Sequence, residues 1–220
     1  MTGRSTFRLL AFLLTLAILG ALGYAFSNVR QGYEPRQPIA FSHRRMAGAP
    51  VMQTNEKGES VNVGGFGIPC VYCHTMPYKG RHSTLPSTAV CMNCHSTVGL
   101  NREWVLKMKE YWDRGQPIPW VKVHDLPDFV YFNHSIHVAK GVACVTCHGP
   151  VDKMPLMYQA QSLQMEWCLA CHRDPVANIR PREEVTNVNW QPPADLAALQ
   201  RELAVKYNIQ SKTSCSTCHR

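Results

Sequence analysis

CVTCHGPVDKMPLMYQAQSLQMEWCLACH, residues 144–172, carries the phrase Cys-x-x-Cys-His at each of its two ends. The same phrase stands at 70–74 (CVYCH), 91–95 (CMNCH) and 215–219 (CSTCH). The five copies use every cysteine in the chain: Cys70, Cys73, Cys91, Cys94, Cys144, Cys147, Cys168, Cys171, Cys215 and Cys218. Two residues between the cysteines suit thioether bonds to the two vinyl groups of one porphyrin. The histidine that follows then falls beneath the iron as its proximal ligand. The sequence therefore predicts five covalent c-type haems, with His74, His95, His148, His172 and His219 on the irons. Structural zinc has no use for a histidine directly after every second cysteine, and a disulfide framework or a redox dithiol has no use for this regular repetition.

The rest of the chain is read around those cofactors. Of 220 residues, roughly 37 per haem remain once the N-terminal segment is set aside, too few to build a separate apolar core around each. The porphyrins must supply most of the core and pack against one another. Fifteen prolines and fourteen glycines agree with short helices and frequent turns. The expected class is mostly α and irregular, a multihaem cytochrome c fold wrapped around a packed haem cluster, with one N-terminal transmembrane helix. The formal charge of +8 falls to about +3 oxidised and about −2 reduced once propionates and irons are counted. With no basic stripe interleaved with aromatics, no nucleic-acid partner is expected.

Leu9 to Phe26 is a run of eighteen residues without a charge, long enough at ~1.5 Å per residue to cross most of a bilayer core. Arg4 and Arg8 precede it and bias the N-terminus to the cytoplasm. A cleaved signal peptide ending near Ala21 to Ala25 is the competing reading; the expectation is a retained anchor. The chain then divides into a cytoplasmic N-terminus (1–8), a single-pass anchor in the cell membrane (9–26), a polar linker (27–40) and a periplasmic haem domain (41–220).

The haem domain repeats itself. FSHRRM (41–46), GIPCVYCH (67–74) and CMNCH (91–95) are answered in order by FNHSIH (132–137), GVACVTCH (141–148) and CLACH (168–172). Each module, 41–95 and 132–172, thus has an aromatic-x-His lead, a Gly-x-x-Cys approach to one haem and a second haem motif. Asn101 to Asp113 reads as a packing helix through Val105, Met108 and Trp112, with Gly115 as its stop. Leu196, Leu199 and Leu203 read as the apolar stripe of a helix laid on the haem cluster, with a docking face for another subunit as the alternative, ahead of the fifth haem at 215–219.

Five histidines are left for the far sides of the irons: His43, His82, His124, His134 and His137. Equal numbers suggest bis-histidine ligation throughout. Met46, however, stands in FSHRRM where His137 stands in FNHSIH, and a thioether is a competent haem ligand. His82 and Met46 compete for one iron. The expectation falls on His82, nine residues before Cys91. Met154, Met157 and Met165 are further candidates, with core packing the favoured reading of each.

Irons with both axial positions filled have no open site for a substrate, so the chain is expected to carry electrons and not to be an enzyme by itself. An anchored chain with paired FSHxxH, CxxCH, CxxCH modules resembles the pentahaem cytochrome c subunit of alternative complex III, across the anchor, both modules and the fifth haem. The resemblance implies an electron-transfer subunit of a membrane quinol:acceptor oxidoreductase. Its implied donor partners are an iron–sulfur subunit and polytopic quinol-binding membrane subunits. The implied acceptor is a monohaem cytochrome c subunit, a soluble cytochrome c or a blue copper protein. Met46 departs from the lead pattern of that family. The alternatives are a small membrane-anchored multihaem quinol dehydrogenase and a pure docking or assembly subunit.

Overall fold

A computed structural model describes residues 3–27 and 30–220, without the side chains of Gly3, Arg4 and residues 25–27. Met1, Thr2, Asn28 and Val29, from the expected N-terminus and linker, lie outside the described residues, as do the side chains of Arg4 and Phe26. The architecture is mostly helical and irregular, with one small sheet.

Helix α1 (Gly3–Ser27) contains a stretch, Ser5–Tyr24, apolar and long enough to span a membrane, with none of it buried against the protein. The helix begins before Leu9 because Thr6 and Arg8 do not interrupt helical geometry. Its exit is tied down. The amide of Gly32 donates to the Gln159 carbonyl at 2.7 Å and Gln159 answers to the Tyr33 carbonyl at 3.0 Å. Gln37 exchanges two side-chain bonds with the Val121 backbone, both at 2.9 Å. The expected linker is therefore laid along the residues that follow it, and its Ile39 joins a small core with Val105, Met108 and Ile118.

That core rests on the middle helix. Counting along the chain, α2 (His43–Ala47), strands β1 (Met52–Thr54) and β2 (Ser60–Asn62), α3 (Cys70–Cys73) and α4 (Thr88–His95) make the first module. Helix α5 (Glu103–Asp113) follows and stops before Gly115. Val105 and Met108 are buried as expected, but Trp112 is 45 % exposed. The buried face continues at i, i+3, i+6 through Tyr111, which packs on the cluster in its place.

The second module is α6 (His134–Ala139), α7 (Cys144–His148) and α8 (Met165–Arg173); α9 (Leu196–Lys206) and α10 (Cys215–Cys218) close the chain. The Asp195 side chain caps α9 by accepting from Ala198 N at 2.9 Å. Leu203 is buried with Ile179 and Tyr207, and Leu199 packs against them, so these two residues of the stripe face the core. Its neighbour Val205 is 84 % exposed.

The hairpin β1–β2 was not legible as a pair of strands. It is antiparallel, with Met52 opposite Asn62 and Thr54 opposite Ser60. The Asn55 side chain accepts from Lys57 N and Glu59 N, both at 2.9 Å, and so shapes the turn. It sits between lead and haem motif in the first module only. This explains why Cys70 is much farther along the chain from His43 than Cys144 is from His134.

The Gly-x-x-Cys approach has a backbone cause in both modules. Gly67 (φ 66°) and Gly141 (φ 80°) take left-handed conformations that other L residues adopt at a cost. At Gly141 an added Cβ would also overlap the Arg180 carbonyl oxygen. Gly141→Ala is therefore expected to destabilise the protein by about 1–3 kcal/mol, read as a lower thermal midpoint of the holoprotein. An unchanged midpoint would refute this account of the glycine.

Candidate haem-attachment sites

Each Cys-x-x-Cys pair lies on one short helical turn, which sets its two thiols on the same side. In α3, α7 and α10 the helix begins at the first cysteine; in α4 and α8 three residues precede it. All ten cysteines are unpaired, so none is consumed by a disulfide. Among the described residues no group of three or more His, Cys, Asp and Glu side chains converges as a metal cage. Burial raises the Cys147 thiol to about 12, helped by the neighbouring Cys171, and burial also raises Cys70, Cys91 and Cys144.

Five of the ten histidines are held in a recurring way, whereas Nδ1 of His43 and of His148 is buried without a hydrogen-bond partner. Nδ1 of His95 faces the Val98 carbonyl at 3.0 Å, that of His172 the Lys212 carbonyl at 2.9 Å and that of His219 the Phe129 carbonyl at 3.3 Å. His134 and His137 do the same with Arg81 O at 3.1 Å and Asn133 O at 2.8 Å. A proton held on Nδ1 leaves the Nε2 lone pair free, which is how metal-bound imidazoles are usually oriented. Burial and neighbouring histidines push His43 down to about 4 and His148 to about 3. Burial lowers His74, His124 and His137 as well. In each case burial favours the neutral form of the ring, the form that can ligate.

Two imidazoles on opposite sides of one metal, each bonded at about 2 Å, have ring centroids roughly 6 Å apart. His43 and His74 stand 6.4 Å apart with planes 13° from parallel. His134 and His148 stand 6.5 Å apart at 8°, and His137 and His172 6.0 Å apart at 62°. The first lead histidine of each module thus meets the histidine that closes that module's first Cys-x-x-Cys-His motif. In the second module the second lead histidine meets the second motif.

The leads match in detail. Ser42 caps α2 by accepting from Arg45 N at 3.2 Å, and Asn133 caps α6 by accepting from Ser135 N at 3.0 Å. Phe41 meets His43 edge-on at 4.9 Å, and Phe132 meets His134 edge-on at 4.7 Å. Met46 therefore occupies on α2 the turn position that His137 occupies on α6.

The remaining candidates separate by burial. His82 is exposed. His124 is not: its Nε2 is buried with no hydrogen-bond partner, as an atom reserved for a metal would be. Its ring lies 4.5 Å from His148 at 77°, closer than a shared iron allows. Met154 is fully buried and behaves as core, whereas Met165 is 65 % exposed.

The protein part of the core is thin. Only eleven hydrophobic residues are buried among the described ones, while Phe66, Val71, Tyr72, Ile136 and Phe129 stay between 42 % and 61 % exposed beside the haem motifs. Apolar surface of that kind around paired thiols and opposed imidazoles fits a covalently held, flat, apolar cofactor.

The donor set and its geometry define a multihaem c-type cytochrome. A family model, cytochrome c7 and related cytochrome c, matches residues 130–220, which hold the second lead and the last three motifs. The multihaem cytochrome c subunit of menaquinone reductase from Nitratidesulfovibrio vulgaris is 31 % identical over 160 residues, covering 63 % of this chain and 69 % of that protein. The chain belongs to this cytochrome c7-like multihaem family.

Proposed function

We propose that the chain is the electron-transfer subunit of a membrane quinone-linked oxidoreductase and carries five c-type haems, one per Cys-x-x-Cys-His motif. The observation that supports this best is the opposition of His43 to His74, His134 to His148 and His137 to His172 at a common separation of 6.0–6.5 Å. At these three pairs a bound haem would have both axial positions filled and no open position for a substrate, and would supply one-electron transfer. The protein's own work is to hold them: the cysteines anchor, the carbonyl-bonded histidines orient, and the buried neutral rings keep their lone pairs available.

Two further ligands are inferred from register and burial. Met46 serves the iron of His95, since its helix position is that of His137. His124, whose buried Nε2 has no hydrogen-bond partner, is the second such ligand. His82 then has no iron.

Within quinone-linked assemblies we favour the alternative complex III reading. The N-terminus is then cytoplasmic, α1 is a retained anchor and the haem domain is periplasmic. Electrons leave a quinol in polytopic membrane subunits, pass an iron–sulfur subunit and go on to a monohaem cytochrome c, a soluble cytochrome c or a blue copper protein. The name of the Nitratidesulfovibrio relative supports a second reading with the direction reversed, toward menaquinone. The two separate in the purified assembly: quinol-driven reduction of a periplasmic carrier supports the first, and carrier-driven reduction of menaquinone the second.

The isolated chain provides the test of the subunit reading. In detergent it is expected to bind haem at five per chain by the pyridine haemochrome assay and to sustain no quinol turnover. Robust quinol oxidation by the lone chain would overturn the proposal in favour of a small membrane-anchored quinol dehydrogenase.

A further inference from the structure

The order of the haem motifs along the chain differs from their order in space. Motifs 70–74 and 91–95 touch directly, the Asn93 side chain donating to the Tyr72 hydroxyl at 3.1 Å. Motifs 70–74 and 144–148 meet on a shared segment, residues 185–186. The amide of Cys144 donates to the Val185 carbonyl at 3.0 Å, and Cys70 Sγ lies 4.0 Å from the adjacent Thr186 carbonyl.

The two modules are interlocked around that meeting point. Lead helix α2 docks on residues 151–153, just after the third motif, with Arg44 N donating to Met154 O at 2.9 Å. Lead helix α6 docks on residues 76–81, just after the first motif, through Ser135 N to Gly80 O and His134 N to Arg81 O, both 3.2 Å. Each module thus seats its lead on the other's first haem segment. This reciprocal exchange puts motifs 70–74 and 144–148 at the centre.

Outward from the centre, Thr146 of the third motif and Cys171 of the fourth line one cleft. The fourth then carries the fifth. His172 is bonded through Nδ1 to Lys212 O at 2.9 Å, and Ser211 Oγ donates to His172 O at 2.8 Å, two contacts with the segment that leads into motif 215–219. Exposure follows the same gradient: Cys94 and Cys215, in the second and fifth motifs, are exposed, whereas the other eight cysteines are partly covered.

We infer that the five attachment sites are strung in the order second, first, third, fourth, fifth, so that motifs 91–95 and 215–219 are the two ends. The first two sites of the chain are inverted in space. Proteins that exchange electrons with this chain must therefore approach near α4 or near α10. This inference rests on the proposal of five haems.

An experimental structure of the full-length holoprotein, with irons located by anomalous scattering, tests both at once. The iron of His74 is expected to have those of His95 and His148 as its nearest neighbours, and the irons of His95 and His219 are expected to form the most distant pair. An iron of His95 nearest to that of His148, or an iron of His219 nearest to that of His74, would overturn the order. Fewer than five irons would instead overturn the five-haem reading beneath it.

Discussion

Replacing Cys144 and Cys147 together by alanine is expected to remove one haem per chain and most of the stability with it. Cys144 is tied to Val185, Cys147 is buried deeply enough to raise its thiol to about 12, and His148 faces both His124 and His134. The same pair of changes at Cys215 and Cys218 also removes one haem, but from the periphery. Buried apolar area is worth about 25 cal/mol per Å², and a porphyrin at the meeting point of the modules covers more protein than one at an end. Haem content by the pyridine haemochrome assay is expected to fall equally in the two double variants. The thermal midpoint falls far more in the central one. Equal losses of stability would show that the third site is not central.

Met46→His is expected to lower the highest reduction potential in the protein by on the order of a hundred millivolts and leave the others nearly unchanged. Thioether sulfur stabilises ferrous over ferric iron relative to imidazole, so the sign follows directly. The charge-transfer absorption of thioether-ligated ferric haem should disappear in the same variant. His82→Ala should change neither spectrum nor potential, whereas His124→Ala should open one iron to carbon monoxide. Carbon monoxide binding in His82→Ala, with an unaltered titration in Met46→His, would return that iron to His82. Spacing before Cys91 argued for His82; the helix register shared by α2 and α6, with the exposure of His82, argues for Met46.

The attachment chemistry was the most legible part of the molecule. Thioether bonds to a rigid ring demand Cys-x-x-Cys-His, and a covalent demand leaves a fixed spelling. The lead repeat was legible for a related reason, since Phe41 and Phe132 must stand edge-on to His43 and His134. Partner choice across the molecule has no spelling: nothing in FSHRRM says that α2 docks beside the third motif and not the first. The hairpin at 52–62 had a faint signal in Asn55 and Gly58, but three-residue strands are too short to show alternation. Trp112 was misplaced because a buried helical face at 105 and 108 can continue at 111 or at 112, and only packing against Ile118 and Ile39 selects Tyr111.

The exchanged seats of α2 and α6 bear on how the molecule comes into being. The chain is made from its N-terminus, so His43 and α2 emerge long before residues 151–154, their shelf. Helix α2 has no shelf during that interval, although the small core of Ile39, Val105, Met108 and Ile118 lies wholly within the first half. Closure waits for the second half and then engages both at once. Neither half is a portable cassette: severed between Asp113 and Asp128, each would lack the surface on which its leading histidine rests.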